Sequence, residues 1–160
     1  RAKLRTDLRR RDSDQAGPRV APAPREIIAP VGEIETERVR LILGGWAEGD
    51  YGAGAEFFHP DVVFVIGRDF PESGTYSGLA EVVEYTRGFI EPWDRITISA
   101  EELTDLGEAV LAAVLQRGRG SGSGAETEFR YFQVWWFEEG KVRRWENFRT
   151  REQALEAAGR

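Results

Sequence analysis

The chain contains no cysteine, no methionine and a single histidine, His59. Without cysteine there are no disulfides and no thiolate metal ligands, and one imidazole cannot supply a site built on several histidines. No metal is expected. Long hydrophobic runs are missing too: the longest, Ala109 to Leu115, is seven residues, against roughly 20 for a membrane-crossing helix. The first residues lack the apolar stretch of a secretory signal, so a soluble, cytoplasmic protein that meets no membrane is expected. No glycine-rich phosphate loop opens a helix, and no serine sits on a nucleophile turn with histidine and aspartate partners. The signatures of nucleotide binding and of triad hydrolysis are therefore absent, and no cofactor is expected.

What is present is unevenly arranged. The 160 residues are 41% hydrophobic and 31% charged, with a net charge of −6, which suits one domain with a tail better than two domains. Residues 1–30 hold eight basic and four acidic side chains, so the remaining 130 carry −10. The same thirty residues include four of the seven prolines and no aromatic residue, a composition that buries too little apolar surface to offset chain ordering. They are expected to form a disordered basic tail, followed by one domain over 31–160. The run Arg9-Arg10-Arg11 is interrupted by acids and has no aromatic neighbour for base stacking, and the body is acidic, so no nucleic-acid partner is expected.

Periodicity organises the body. Val39, Ile42, Leu43 and Trp46 fall at i, i+3, i+4 and i+7, one apolar helix stripe closed by Gly49-Asp50. Tyr51, Ala55 and Phe58 share a face of a second, shorter helix that stops at His59-Pro60. Val62 to Ile66 reads as a buried strand, Gly67 to Gly78 as a loop, and Leu79, Val82, Val83, Thr86, Phe89 and Ile90 as a third helix. From Ile96 the period becomes two, giving four strands: about 96–101, 108–117, 126–137 and 141–150. The last two pair around Glu138-Glu-Gly140, and residues 151–158 close the chain as a short helix. This order gives an α+β domain with helices on one face of a bent sheet.

Six phrases, in order, resemble one family: Trp46-Ala-Glu-Gly-Asp50, His59-Pro-Asp-Val-Val-Phe64, Thr75-Tyr-Ser-Gly78, Arg117-Gly-Arg-Gly-Ser-Gly122, Val134-Trp-Trp-Phe-Glu-Glu-Gly-Lys-Val142 and Arg151-Glu-Gln-Ala-Leu-Glu-Ala-Ala-Gly159. The chain resembles, over 34–159, the SnoaL-like branch of the nuclear transport factor 2-like superfamily. That resemblance implies a cone-shaped α+β barrel: a strongly curved, mostly antiparallel sheet wrapped over three N-terminal helices, with a short C-terminal helix. It also implies a deep apolar pocket and a homodimer through the sheet. The superfamily includes polyketide cyclases, ketosteroid isomerases, epoxide hydrolases, dehydratases and proteins that only bind or dimerise, so the fold leaves function open. Where a ketosteroid isomerase has its aspartate base, its tyrosine and its acidic oxyanion group, this chain aligns Ile66, Ile42 and Gln133. No aspartate lies in the last two strands, so the epoxide hydrolase arrangement is equally absent.

Strand alternation then selects the pocket. With Gln133 facing inward, Tyr131 and Trp135 do too, and Trp145, Asn147 and Arg149 join them from the last strand, with Phe64 and Ile66 from the first. Tyr131, Gln133 and Asn147 can each donate a hydrogen bond, and the aromatic surround suits a small apolar or aromatic molecule. Tyr131 and Trp135 as plain core residues, and Gln133 with Asn147 as a cross-strand pair, are the competing readings. Asp69 and Glu72, in the loop after the first strand, and His59 are the acid/base candidates, against readings as solvated loop charges and a capping residue. Phe132, Val134 and Trp136 face outward and are the expected dimer contact. Two functions follow: a cofactor-independent enzyme (cyclase, isomerase, dehydratase or hydrolase type), or a ligand-binding or dimerisation module without catalysis.

Overall fold

A computed structural model describes residues 31–160; the expected tail lies outside them. Helix α1 (Val31–Ala47) forms on the stripe read from the sequence, burying Val39, Ile42, Leu43 and Trp46 to at most 7% exposure. The second expected helix is not one. Turns and a single 3-10 turn at Ala55–Phe57 occupy its place, and β1 (Phe58–Ile66) begins where that helix was to end. Gly54, in the left-handed region at φ 74°, interrupts helix propagation, and Pro60 draws His59 into extended backbone. The domain therefore has two α-helices before its long strands, not three.

The expected loop at 67–78 also contains structure. Residues Gly74–Ser77 form β2, which pairs antiparallel with β1, Val63 opposite Ser77 and Ile66 opposite Gly74. Helix α2 (Leu79–Ile90) follows, then β3 (Trp93–Asp105), β4 (Ala109–Gly120), β5 (Glu126–Glu138), β6 (Lys141–Phe148) and α3 (Arg151–Ala157). The glycine-rich segment is split: its start extends β4, and the rest turns into β5. Glu139 and Gly140, both at positive φ, make the two-residue turn between β5 and β6 that matches strand twist.

The six strands form one curved, unclosed sheet in the order β2-β1-β6-β5-β4-β3. It is mixed, since β1 runs parallel to β6 and every other pairing is antiparallel. Side chains alternate between its faces. Val110, Ala112, Val114, Tyr131 and Trp135 join the α1 stripe in the main core. Their neighbours Ala109, Leu111 and Val134 pack on the other face with Ala154 of α3, flanked by Phe132, Trp136 and Phe148. The outward face is thus partly covered by α3, and Val134 is fully buried there.

Helix α3 is held by a capping box: the Thr150 side chain accepts from the Gln153 amide N–H at 3.1 Å, and the Gln153 side chain accepts from the Thr150 N–H at 3.3 Å. Thr150→Ala is expected to cost about 1 kcal/mol, seen as a fall in the thermal midpoint of roughly 3–5 °C.

Candidate functional site

Strand register places the side chains of the site in two adjacent rungs. Phe64 of β1 lies opposite Trp145 of β6, and Trp145 opposite Trp135 of β5. Two residues further along, Ile66 lies opposite Asn147, and Asn147 opposite Gln133. The first rung is a ring stack: Phe64 on Trp145 at 4.2 Å and 16°, Trp145 on Trp135 at 5.3 Å and 8°. The second is aliphatic at one end and carboxamide for the rest.

These rungs floor a cavity of about 460 Å³. Trp46 and Tyr51 close one side, Val82, Tyr85 and Phe89 of α2 another, and the loop residues Phe70, Pro71 and Glu72 a third. Of the expected pocket residues, Phe64, Ile66, Tyr131, Gln133, Trp145 and Asn147 line it. Trp135 does not. It points to the same face as Gln133, but the rings of Trp46 and Phe58, 5.7 and 6.3 Å away, cover it and leave it 0% exposed. Arg149 does not line it either. Its guanidinium lies over Phe129 (5.4 Å) and Phe70 (5.8 Å), and its Nη1 donates to the Asp69 carbonyl at 3.1 Å, so it backs the wall from outside.

The three acid/base candidates separate. His59 is not on the cavity wall; its Nδ1 accepts from the Asp61 N–H at 2.9 Å, tying down the irregular start of β1. Asp69 is also off the wall, its Oδ2 accepting from Gln153 Nε2 at 2.8 Å. His59 is held by a local bond at the Pro60 turn and Asp69 by a long-range one from α3. Glu72 alone lines the cavity, at its exposed edge. Among the described residues, its carboxylate and the Arg87 guanidinium are the only charged side chains on the wall, and both are exposed.

The buried polar side chains on the cavity wall are neutral. The Tyr131 hydroxyl donates to Gln116 Oε1 at 2.9 Å, so it is committed within the protein. Tyr51 Oη donates to the Ile96 carbonyl at 2.9 Å. The Trp135 Nε1–H donates to Gln133 Oε1 at 3.2 Å. Among the described residues, three buried polar atoms have no partner: Trp46 Nε1, Trp145 Nε1 and Asn147 Oδ1, all on cavity-lining residues. Buried polar atoms are nearly always paired, so three orphans on residues around one cavity are unusual. Sequence reading missed Gln116, although it continues the alternation of Val110, Ala112 and Val114 along β4 as the first polar residue on that face.

Among the described residues, no three His, Cys, Asp or Glu side chains gather as a metal site requires, and no helix is long and apolar enough to cross a membrane.

The SnoaL-like domain family matches residues 39–145, and the chain belongs to it. No curated protein matches the chain. Solved structures share the fold. An NTF2-like protein from Burkholderia thailandensis is 25% identical, with a TM-score of 0.64 over 78% of this chain and 96% of that one. TerC, co-crystallised with polyporic acid, is 18% identical with a TM-score of 0.63, covering 79% and 99%. A protein of ketosteroid isomerase-like fold from Catenulispora acidiphila, in complex with trimethylamine, is 12% identical with a TM-score of 0.59, covering 77% and 92%.

Burial pushes the hydroxyls of Tyr131, Tyr51 and Tyr85 well above the ordinary tyrosine value of 10.0, with Glu72 adding to the effect at Tyr85. Folded values above unfolded ones mean that stability is complete below the unfolded tyrosine pKa and is lost as pH rises past it. In a spectrophotometric titration of folded protein, Tyr131→Phe is expected to remove none of the phenolate absorbance that develops near the ordinary value. Loss of one tyrosine's worth there would show that Tyr131 is solvated.

Proposed function

We propose that this chain binds a small, flat, mostly apolar molecule, with the curved sheet wrapped as a cone around it. The observation that carries the reading is the cavity of about 460 Å³, whose deep wall is aromatic and aliphatic apart from neutral carboxamides and tyrosines. Rings fill the walls and a few fixed polar groups orient the occupant, the usual composition of a small-molecule site. That TerC, of the same fold, was co-crystallised with polyporic acid supports a small-molecule ligand for this chain.

Glu72 favours a second, catalytic reading. Among the described residues it is the only carboxylate on the wall, and in this reading it moves a proton at the mouth while Gln133 and Asn147 donate to an oxygen held deeper, a cofactor-independent acid/base reaction of isomerase, cyclase, dehydratase or hydrolase type. One panel tests both readings. Trp46 and Trp145 line the cavity, so tryptophan fluorescence should report binding of aromatic ketones and of their hydrocarbon analogues. Gln133→Leu is expected to weaken the ketones by roughly tenfold, one hydrogen bond, and to leave the hydrocarbons unchanged. Equal losses in both classes would remove Gln133 from the site. For any ligand that is turned over, Glu72→Gln should abolish turnover and spare binding.

We further propose a homodimer through the outward sheet face. Its support is the ring of half-buried aromatic residues, Phe132, Trp136 and Phe148, left around the buried Val134 beside α3. Trp136→Glu should convert dimer to monomer in sedimentation at tens of micromolar; a wild-type monomer at that concentration would dismiss the interface.

A further inference from the structure

We infer that Trp135, which does not touch the cavity, determines what the cavity accepts by fixing which end of the Gln133 carboxamide faces it. The inference rests on the binding role proposed above. The two ends of a glutamine amide have nearly the same shape, so packing alone leaves either the oxygen or the NH2 free to face an occupant. An indole N–H can only donate. It therefore holds only the oxygen, and Trp135 Nε1 does so at 3.2 Å, between two residues that are 0% and 1% exposed. Turning the amide over would set NH2 against N–H, two buried donors with no acceptor between them, which the interior penalises.

Trp135 cannot turn to relieve that clash. It is stacked on Trp145 at 8° and covered by Trp46 and Phe58. With the oxygen taken, the NH2 of Gln133 is the end left for the cavity. It carries two hydrogens. If one goes to the unpartnered Oδ1 of the register neighbour Asn147, the other still faces an occupant. On the opposite side, Gln133 pairs with Ala112, whose side chain offers no acceptor. The floor is therefore a hydrogen-bond donor without charge, and it selects a ligand whose buried end is an acceptor, such as a carbonyl or ether oxygen or a ring nitrogen lone pair, over one that ends in N–H.

Three flat tricyclic compounds of similar size separate these cases: fluorenone, which only accepts; carbazole, which donates through N–H; and fluorene, which does neither. By calorimetry, the wild type is expected to bind fluorenone roughly tenfold more tightly than carbazole, the size of one buried hydrogen bond. Trp135→Phe keeps a stacking ring and removes the N–H, freeing the amide to turn. Its fluorenone to carbazole ratio should fall to about twofold or less, with fluorene affinity unchanged. A variant of unchanged thermal midpoint that keeps the wild-type ratio would show that Trp135 only fills space. Should that variant fail to fold, side-chain amide NMR of isotope-labelled wild type decides. Fluorenone is expected to shift the Gln133 NH2 resonances while the Trp135 indole N–H stays protected from exchange. A rapidly exchanging Trp135 N–H, or a wild-type preference for carbazole, would overturn the inference. If none of the three compounds binds the wild type, the cavity reading itself falls; if they bind without discrimination, only the role of Trp135 falls.

Discussion

The parallel pairing of β1 with β6 is the constraint on which the rest of the site depends. It sets Phe64 against Trp145 and, through the antiparallel neighbour, Trp145 against Trp135. Three rings from three strands then stack in a row, neighbouring centroids 4.2 and 5.3 Å apart. The side-chain period of a strand is two, so a slip of one residue would carry the whole rung to the opposite face. The stack holds the register, and the register places Ile66, Asn147 and Gln133 in the next rung, where they floor the cavity. The aromatic stack and the carboxamide floor are consecutive rungs of one ladder.

Energetics explain why the floor carries amides and the mouth carries charge. A carboxylate at the depth of Gln133, 1% exposed, would lose its hydration with no cation nearby and would be driven to its neutral form. A carboxamide meets the same burial with a single internal bond to Trp135. Charged groups are tolerated where water reaches them, and Glu72 and Arg87 stand at that edge. Under the proposed catalytic reading, the deep carboxamides would orient an oxygen and proton transfer would fall to Glu72 at the rim.

Elements with strong local periodicity were legible in the sequence. The α1 stripe, the β5–β6 hairpin with its Glu139-Gly140 turn, and the inward set on those strands each depend on the regular spacing of neighbours in the chain. What was not legible depended on distant partners. Strand β2 has four residues, Gly-Thr-Tyr-Ser, with no apolar alternation, and it is a strand because β1 offers it an edge. Tyr51, Ala55 and Phe58 suggested a helix by spacing alone, and the glycines between them prevented it. Trp135 alternates inward as expected, yet Trp46, 89 positions earlier in the chain, decides that it is covered. The six family-like phrases supplied the architecture that periodicity could not, and the fate of His59 shows their limit: it lies in one of them and does not reach the cavity.

The same long-range contacts join the two faces of the sheet. Asp69 is bound twice, its carbonyl by Arg149 and its carboxylate by Gln153 of α3, the helix on the far face. The loop it anchors carries Phe70, Pro71 and Glu72 into the cavity wall. Each of these bonds is exposed and contributes only modestly to stability, about 1 kcal/mol or less. Their effect is geometric. Arg149 also covers the outer faces of Phe70 and Phe129, so the wall is pressed inward by groups that never touch an occupant. Gln153 is also the residue that closes the capping box of α3, so one side chain ties helix start, loop and mouth together. The loop that carries Glu72 to the cavity wall is thus tied, through Asp69, to a helix that packs against the opposite face of the sheet.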